Sequence, residues 1–422
     1  MSDSPTSDGV SERGSADRPA LARLVSLDTT AFASEHWGSR PLLSRASALP
    51  GDFADLFSAD AVDELVAHRG IRTPFARMAK EGSVLSPSRY TASGGFGAEI
   101  GDQLSSERVL AEFADGASLV LQGLHRTWRP LTDFTRELVG DLGHRCQVNA
   151  YITPESSRGF DPHYDVHDVF VIQISGTKHW TIHEPAHVDP LASQPWSSRR
   201  ADVEARAAGE PAIDAVLEPG DVLYLPRGWI HSATALGGTS VHLTIGVSAY
   251  TRDDILESII ARARDDVRLR ASLPLGIDLT DPDALRPLVD EIVSDLADAL
   301  ATAATSPELA DAASASLTRR FAGAVRAEPL APLATIEALG ALGPDTVVSW
   351  RRGATASTRR DGEVMTIRRG DSTVSLPVEA ADAVEALATG ADHTVGSLPG
   401  LDEASALVVV RRLVREGILV VR

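Results

Sequence analysis

Apolar residues along this chain change rhythm three times, and each change predicts a different kind of element. Near the start they sit at helical intervals in short pieces. DTTAFASEHWGSRPLL, residues 28–43, predicts a short helix ending before Pro41, with Phe32 and Trp37 free to pack. ADAVDELVAHRG predicts another, closed by Gly70. From about 117 to 249 the pattern becomes short β-rich runs: SLVLQGL, QVNAYITP, DVFVIQISG, KHWTIHE, DVLYLP and VHLTIGVSAY. Gly, Pro and Asp turns separate them, and one helical stretch, LTDFTRELVGDLG, intervenes. Many short strands with turns between them predict a small barrel or jelly roll.

The pattern then returns to three- and four-residue intervals. TRDDILESIIARARDDVRLRASL, DPDALRPLVDEIVSDLADALATAA and SPELADAASASLTRRFAG predict helices, opened by cap candidates Asp253, Asp281 and Ser306. From about 333, VMTIRRGDSTVSLP predicts a hairpin around Gly370-Asp371. Two amphipathic helices follow, stopped by Gly390 and Gly417, and ILVVR closes as a strand. Helix, turn, helix, strand is the outline of a winged helix. The chain thus divides into a disordered tail (1–20), a barrel with N-terminal helices (21–250), a helical region (251–330) and a winged-helix-like region (331–422).

Composition narrows the function classes. A chain of 422 residues is too long for one typical core. No run approaches the ~20 apolar residues of a membrane span. The polar N-terminus lacks the apolar stretch of a secretory signal. The single cysteine, Cys146, excludes a disulfide framework or a Cys-rich metal site, and reads as a small packing residue. These features predict a cytoplasmic protein. The net charge of −19 disfavours broad nucleic-acid binding. It suits a basic protein partner, and equally suits simple solubility. Residues 333–422 carry ten Arg and no Lys against twelve Asp plus Glu, so that region is expected not to bind DNA but to serve structure or protein contacts.

The candidate chemistry lies in HYDVHDVFVIQISGTKHW, residues 163–180. His163 and Asp165 are two apart, so on an extended strand they leave the same face. A third ligand has to come from another strand. In GDVLYLPRGWIH, residues 220–231, the spacing G-x5-P-x-G-x2-H matches the second signature of the cupin barrel, which delivers a metal-binding histidine, here His231. The first cupin signature has H-x-H and a glutamate; here His163-x-Asp165 replaces the pair and Val169 stands at the glutamate position. Two histidines and one carboxylate with open positions are the donor set of non-haem Fe(II) oxygenases. Lys178 lies beyond a turn expected at Ser175-Gly176, and an inward ammonium there needs an anion. The distal carboxylate of 2-oxoglutarate would supply it, with Asn149 adding an amide hydrogen bond. His167 shares the parity of the pair and is read as supporting the ligands. His179, His183 and His187 are read as ordinary polar positions.

With these motifs in view, the sequence resembles the JmjC-type Fe(II)/2-oxoglutarate oxygenases, and among them the bacterial ribosomal oxygenase group. EHWGSRPLL, RTPFARMAKEG, LVLQGLHRTW, NAYITP, DVLYLPRGWIHSA and GLDEASALVVVRRLVREGILVV carry the resemblance beside the two metal motifs. It implies an α+β chain: a double-stranded β-helix JmjC core, a helical dimerisation region and a C-terminal winged helix. It makes His163, Asp165 and His231 the Fe(II) ligands, gives Lys178 to 2-oxoglutarate, and places Asn149 and Tyr151 beside co-substrate and substrate. It implies a homodimer that hydroxylates a protein side chain, with a basic ribosomal protein as the fitting partner. The chain departs from its relatives at two points: an arginine they use for the substrate would fall in SLVLQGL, near Val120, where this chain has none, and a serine they use would fall near Gly246. A non-catalytic cupin-like interaction module is the competing expectation.

Overall fold

The computed structural model describes all residues except 1–17, 81, 98, 156–160, 306, 355 and 371. The expected tail therefore falls almost wholly outside the described residues, and so does the Ser306 cap. The chain forms two compact units, one ending at Ala249 and the other spanning Tyr250–Arg422.

In the first unit, helices α1 (Pro19–Ala22), α2 (Thr29–Glu35) and α3 (Ala59–His68) precede the sheet. The Asp28 carboxylate caps α2 by accepting from Thr30 N–H, and Phe32 is buried. Strands β1 (Leu42–Ser44), β2 (Ala76–Lys80), β3 (Ser83–Val84), β4 (Thr91–Ala92) and β5 (Gln103–Leu104) lead to α4 (Ser106–Ala114). Then come β6 (Ser118–Leu121), α5 (Leu124–Thr127), α6 (Arg129–Leu142) and β7 (Arg145–Thr153). The remaining elements are β8 (Asp168–His183), α7 (Arg200–Ala207), β9 (Ile213–Leu217), β10 (Val222–Leu225) and β11 (Ile230–Ser248). The main sheet runs β1-β10-β8-β11-β7-β6-β2-β3, with β9 on the far half of β8. Every pair is antiparallel.

Two strands are much longer than their patterns predict. The expected turn at Ser175-Gly176 is absent: β8 runs through it, pairing first with β10 and then with β9. Opposite it, β11 slips register between Leu236 and Val241. Gly176 has φ +63°, and a Cβ there would lie 2.2 Å from the Thr239 carbonyl oxygen, so only glycine fits. Buried Gln173 pins the irregularity, donating to the Ser175 and Gly176 carbonyls and to Ser240 Oγ. The slip also inverts side-chain parity. Val169 and Val171 face the central cavity before it, Lys178 and Trp180 after it. The inward lysine thus comes from a kinked strand and not from a reversal of the chain.

The second unit contains α8 (Arg252–Ala263), α9 (Pro282–Ala304), α10 (Pro307–Ala324) and α11 (Pro332–Gly340). Asp253 does not cap α8; Thr251 does, in a capping box with Asp254. Asp281 caps α9 as expected. Ile255, Leu256, Val289, Ile292 and Val293 on α8 and α9 are exposed. The C-terminal part has β12 (Val347–Trp350), β13 (Ser357–Asp361), β14 (Val364–Arg369), β15 (Ser372–Pro377), α12 (Ala381–Ala388), β16 (His393–Thr394), α13 (Glu403–Arg415) and β17 (Leu419–Val421). Strands β16-β12-β17 form one sheet and β13-β14-β15 another. Val410, Leu413 and Val414 of α13 are buried with Val348, Ile367 and Leu387 in a separate core.

Gly176→Ala is expected to destabilise the protein by roughly 2 kcal/mol or more, since a left-handed backbone costs ~1–2 kcal/mol without the clash. Urea unfolding followed by tryptophan fluorescence checks this; an unchanged midpoint would mean that the kink can relax.

Candidate metal centre

The His163 segment is not a regular strand. Among the described residues its sheet-like pairing is an isolated bridge in which His163 N–H donates to the His231 carbonyl (3.2 Å) and His231 N–H to that of His163 (2.8 Å). This bridge replaces the strand parity expected for His163 and Asp165. The chain bends before β8 starts at Asp168, so the parity that would have turned His167 inward does not apply. One ligand atom from each of His163, Asp165 and His231 lies within 4.8 Å of the other two. His231 Nε2 is 3.8 Å from Asp165 Oδ2.

The donor set suits a metal in its protonation as well as its position. His163 Nδ1 faces the Asp161 carbonyl at 2.8 Å, and His231 Nδ1 faces that of Trp229 at 3.0 Å. A carbonyl only accepts, so Nδ1 carries the proton in both rings and Nε2 is the nitrogen that presents a lone pair. Burial, and then neighbouring His163, push His231 down to about 4, which keeps the imidazole neutral.

The loop carrying His231 is held by Asp168, a residue the sequence reading did not single out. Its carboxylate accepts from Tyr224 OH (3.0 Å) and from Arg227 N–H (2.9 Å). Gly228, at φ +88°, donates to the Asp165 carbonyl, and a Cβ there would meet the His187 carbonyl oxygen at 2.7 Å. Asp168 immediately follows the His163 motif and is the first residue of β8. Its signal was a carboxylate at the head of an apolar run.

A cavity of about 460 Å³ opens beside the triad. At one end Lys178 is 3% exposed, and its Nζ donates to Thr153 Oγ1 at 3.2 Å. Burial brings its pKa down to about 8. Val169, the residue in place of the cupin glutamate, adds an apolar wall. Tyr151 lines the cavity, and burial, then Asp165, raise its pKa. Asn149 is not among the lining residues; its Oδ1 accepts from Gly123 N–H at 3.0 Å.

Register explains one wall of the cavity. Arg77, Val120, Tyr151 and His242 are successive partners across β2, β6, β7 and β11, and all four line the cavity. Arg77 hydrogen-bonds Tyr151, so the row holds a guanidinium one strand away from Val120. His167 lies beside Gly246: a Cβ at that glycine would come within 2.8 Å of the imidazole. Trp196 and Arg200 also line the cavity, with the guanidinium 4.7 Å from the indole. Cys146 is half-buried, its thiol pushed up to about 12 by burial, in keeping with packing.

His163→Ala, Asp165→Ala and His231→Ala are each expected to abolish stoichiometric Co(II) binding, whereas His167→Ala should retain it. Visible absorption on metal titration checks this. Loss of metal in the His167 variant alone would assign the wrong triad.

Residues 125–255 match the family model described as JmjC domain. The chain is 32% identical over 253 residues to ribosomal oxygenase 1 of Gallus gallus, covering 58% of this chain and 40% of that protein. It is 36% identical over 177 residues to the bifunctional lysine-specific demethylase and histidyl-hydroxylase NO66 of Drosophila erecta, covering 39% and 25%. The chain thus matches less than half the length of these relatives. In structure it is similar to the Escherichia coli ribosomal oxygenase YcfD, with a TM-score of 0.52 at 19% identity over 94% of this chain and 99% of that one. YcfD in complex with cobalt and succinic acid gives a TM-score of 0.51. At such identity the likeness shows a shared fold alone, and the matched segment, residues 125–255, identifies a JmjC domain within the chain.

Proposed function

We propose that this protein is an Fe(II)- and 2-oxoglutarate-dependent oxygenase that hydroxylates a protein side chain. The observation that carries the reading is the coincidence, in one cavity, of a 2-His-1-carboxylate set and a buried lysine. Either alone has a structural explanation; together they suit a chelated 2-oxo acid with a distal carboxylate. Relatives named as ribosomal oxygenases and a neighbour solved with cobalt and 2-oxoglutarate support it.

In this reading His163, Asp165 and His231 hold the iron, through Nε2 of each histidine and the aspartate carboxylate. The metal, when bound, would supply oxygen activation coupled to decarboxylation of the co-substrate. Lys178 fixes the far carboxylate and so sets the direction from which the co-substrate reaches the metal. Val169 and Val171 keep that end apolar and exclude water. Tyr151 stands beside co-substrate and substrate, while Asn149 supports the same strand face through its bond to Gly123. Arg77, Trp196 and Arg200 offer the substrate a guanidinium and an aromatic platform.

The net charge of −19 supports a basic partner, with a ribosomal protein as the fitting class. The exposed apolar residues of α8 and α9 support a homodimerising helical region. The order of elements after Gly340 supports a winged helix, and the ten Arg against twelve Asp plus Glu of residues 333–422 support its use for packing or protein contacts rather than DNA. The single cysteine supports a cytoplasmic setting. No helix among the described residues is long and apolar enough to cross a membrane.

Succinate release from 2-oxoglutarate with Fe(II), measured with and without ribosomal extract, tests the activity. Metal binding without any turnover would move the protein to a non-catalytic role. Lys178→Ala should weaken 2-oxoglutarate binding by about 10- to 150-fold while sparing the metal, since a hydrogen bond to a charged group is worth ~1.5–3 kcal/mol. Equal loss of both would make the lysine structural.

The lowered Lys178 pKa gives a pH dependence. Only the ammonium form attracts the carboxylate, and burial disfavours that form in the empty pocket. Affinity for 2-oxoglutarate should therefore be full below about pH 8 and fall as pH rises through it. Calorimetry on the Mn(II)-loaded protein across that range reads the slope; flat affinity would show that the ammonium is not the anchor. The full chain should show no salt-sensitive duplex binding at ~0.15 M salt, where non-specific binders reach roughly 10⁻⁴ to 10⁻⁶ M. Fluorescence anisotropy with a labelled duplex checks it, and micromolar affinity with a steep salt slope would give the C-terminal region to DNA.

A further inference from the structure

The charge inside the cavity runs against the charge of the chain. Over the whole sequence acidic residues outnumber basic ones, 59 to 40. Among the described residues that line the cavity the order is reversed, with Arg77, Lys178 and Arg200 against Asp161 and Asp165. His231 and His242 add nothing to this sum, because burial holds both imidazoles below the usual histidine range. Asp165 belongs to the metal cluster, and in the functional reading above Lys178 belongs to the co-substrate. Arg77 and Arg200, with Asp161, are left to meet the side chain that enters. That remainder is positive.

The two guanidiniums stand on different walls. Arg77 is half-buried on β2 and hydrogen-bonds Tyr151, whose phenol also feels the Asp165 charge. One phenol thus links this guanidinium to the metal cluster. The wall around it is low: Val120 pairs with Arg77 and Ser118 with Ala79 across β2 and β6, and all of them line the cavity. Side chains that small leave space for a ligand beside the guanidinium. Arg200 is exposed on α7, with its guanidinium 4.7 Å from the Trp196 indole. Trp196 is in turn 6.1 Å from the His163 ring.

A guanidinium offers five N–H donors and accepts nothing. Its planar fork matches an acyl group whose oxygens accept, a carboxylate best of all. A lysine or arginine entering here would lose its water beside two like charges and bring no acceptor to either. We propose that the side chain presented to the metal cluster ends in a carboxylate or carboxamide, its acyl oxygen accepting from Arg77. This rests on the reading of the protein as a protein-modifying oxygenase, and names the class of residue that it takes. Recognition then has two ranges. The net charge of −19 steers a basic protein toward the chain from a distance. The guanidiniums select by contact an acidic or amide residue within that protein.

The test is calorimetric binding of a peptide series to the full chain loaded with Mn(II) and 2-oxoglutarate. Each pentapeptide carries lysines on both sides of a central residue, which is Asp, Asn, Glu, Gln, His, Lys, Arg or Ala. At least one of the four acyl-bearing peptides should bind about tenfold or more tighter than the alanine peptide. The lysine and arginine peptides should bind no tighter than alanine. An acid that exceeds its amide assigns the charged group, and equal affinities assign the shared oxygen. Arg77→Glu should reverse the order, weakening the acyl-bearing peptides and favouring lysine and arginine. Arg77→Gln serves if that variant does not fold: it should bring the acyl-bearing peptides toward the alanine level while 2-oxoglutarate binds as in the wild type. Tightest binding by the histidine, lysine or arginine peptide would overturn the proposal. So would a series without discrimination, absence of binding included, an unchanged order in the Arg77 variants, or equal loss of peptide and 2-oxoglutarate in Arg77→Gln. Failure of the wild-type protein to bind 2-oxoglutarate would instead sink the functional reading beneath it.

Discussion

Two main-chain hydrogen bonds between His163 and His231 tie together segments almost seventy residues apart in sequence. Without that bridge the two histidines would belong to separate loops, each free to move with its own neighbours. The bridge fixes the separation of their Cα atoms, as in any antiparallel pair. The side chains then need only the Nδ1 contacts to Asp161 and Trp229 to point Nε2 into a shared space. Asp168, through Tyr224 and Arg227, holds the approach to the second histidine. Preorganisation of this sort is what a metal site of only three protein ligands requires, because each missing constraint lowers both affinity and geometric selectivity.

Strand β8 is long because it finds partners on both sides of the Gly176 distortion, β10 before it and β9 after it. β8 and β11 pair with each other on both sides of the Gly176 distortion. The change of side-chain parity there explains how valines and a lysine from one strand face one cavity. An apolar wall and an ammonium are otherwise hard to place on the same strand, since strict alternation would send Val169 and Lys178 to opposite faces. The glycine permits the exchange, and Gln173 makes it permanent by occupying the carbonyls that the distortion releases.

The convergence of His163, Asp165 and His231 was legible from spacing, because G-x5-P-x-G-x2-H encodes a turn geometry and not merely a composition. The barrel was legible from its β-rich runs. What spacing could not convey was pairing. Arg77 is 43 positions from Val120 in sequence but opposite it in register, so a guanidinium absent from one strand is present on the next. His242 was hidden for the same reason: its partner Tyr151 lies on another strand. The cap of α8 was misplaced by two residues, since Thr251 and Asp253 are both good cap residues and only the Asp254 return bond decides between them. The turn at Ser175-Gly176 was over-read, because a glycine between β runs signals a bulge as readily as a reversal.

Trp196 and Arg200 reach the cavity from the segment between β8 and β9, which contributes no strand to the main sheet. The cavity therefore has walls of two kinds. One is woven into the hydrogen-bond ladder, where any change disturbs partners on several strands. The other is hung from it, and can be lengthened, shortened or re-sequenced while every ladder contact stays in place. A lineage could retarget such a protein by rewriting the hung wall alone, leaving the cluster of His163, Asp165 and His231 as it was.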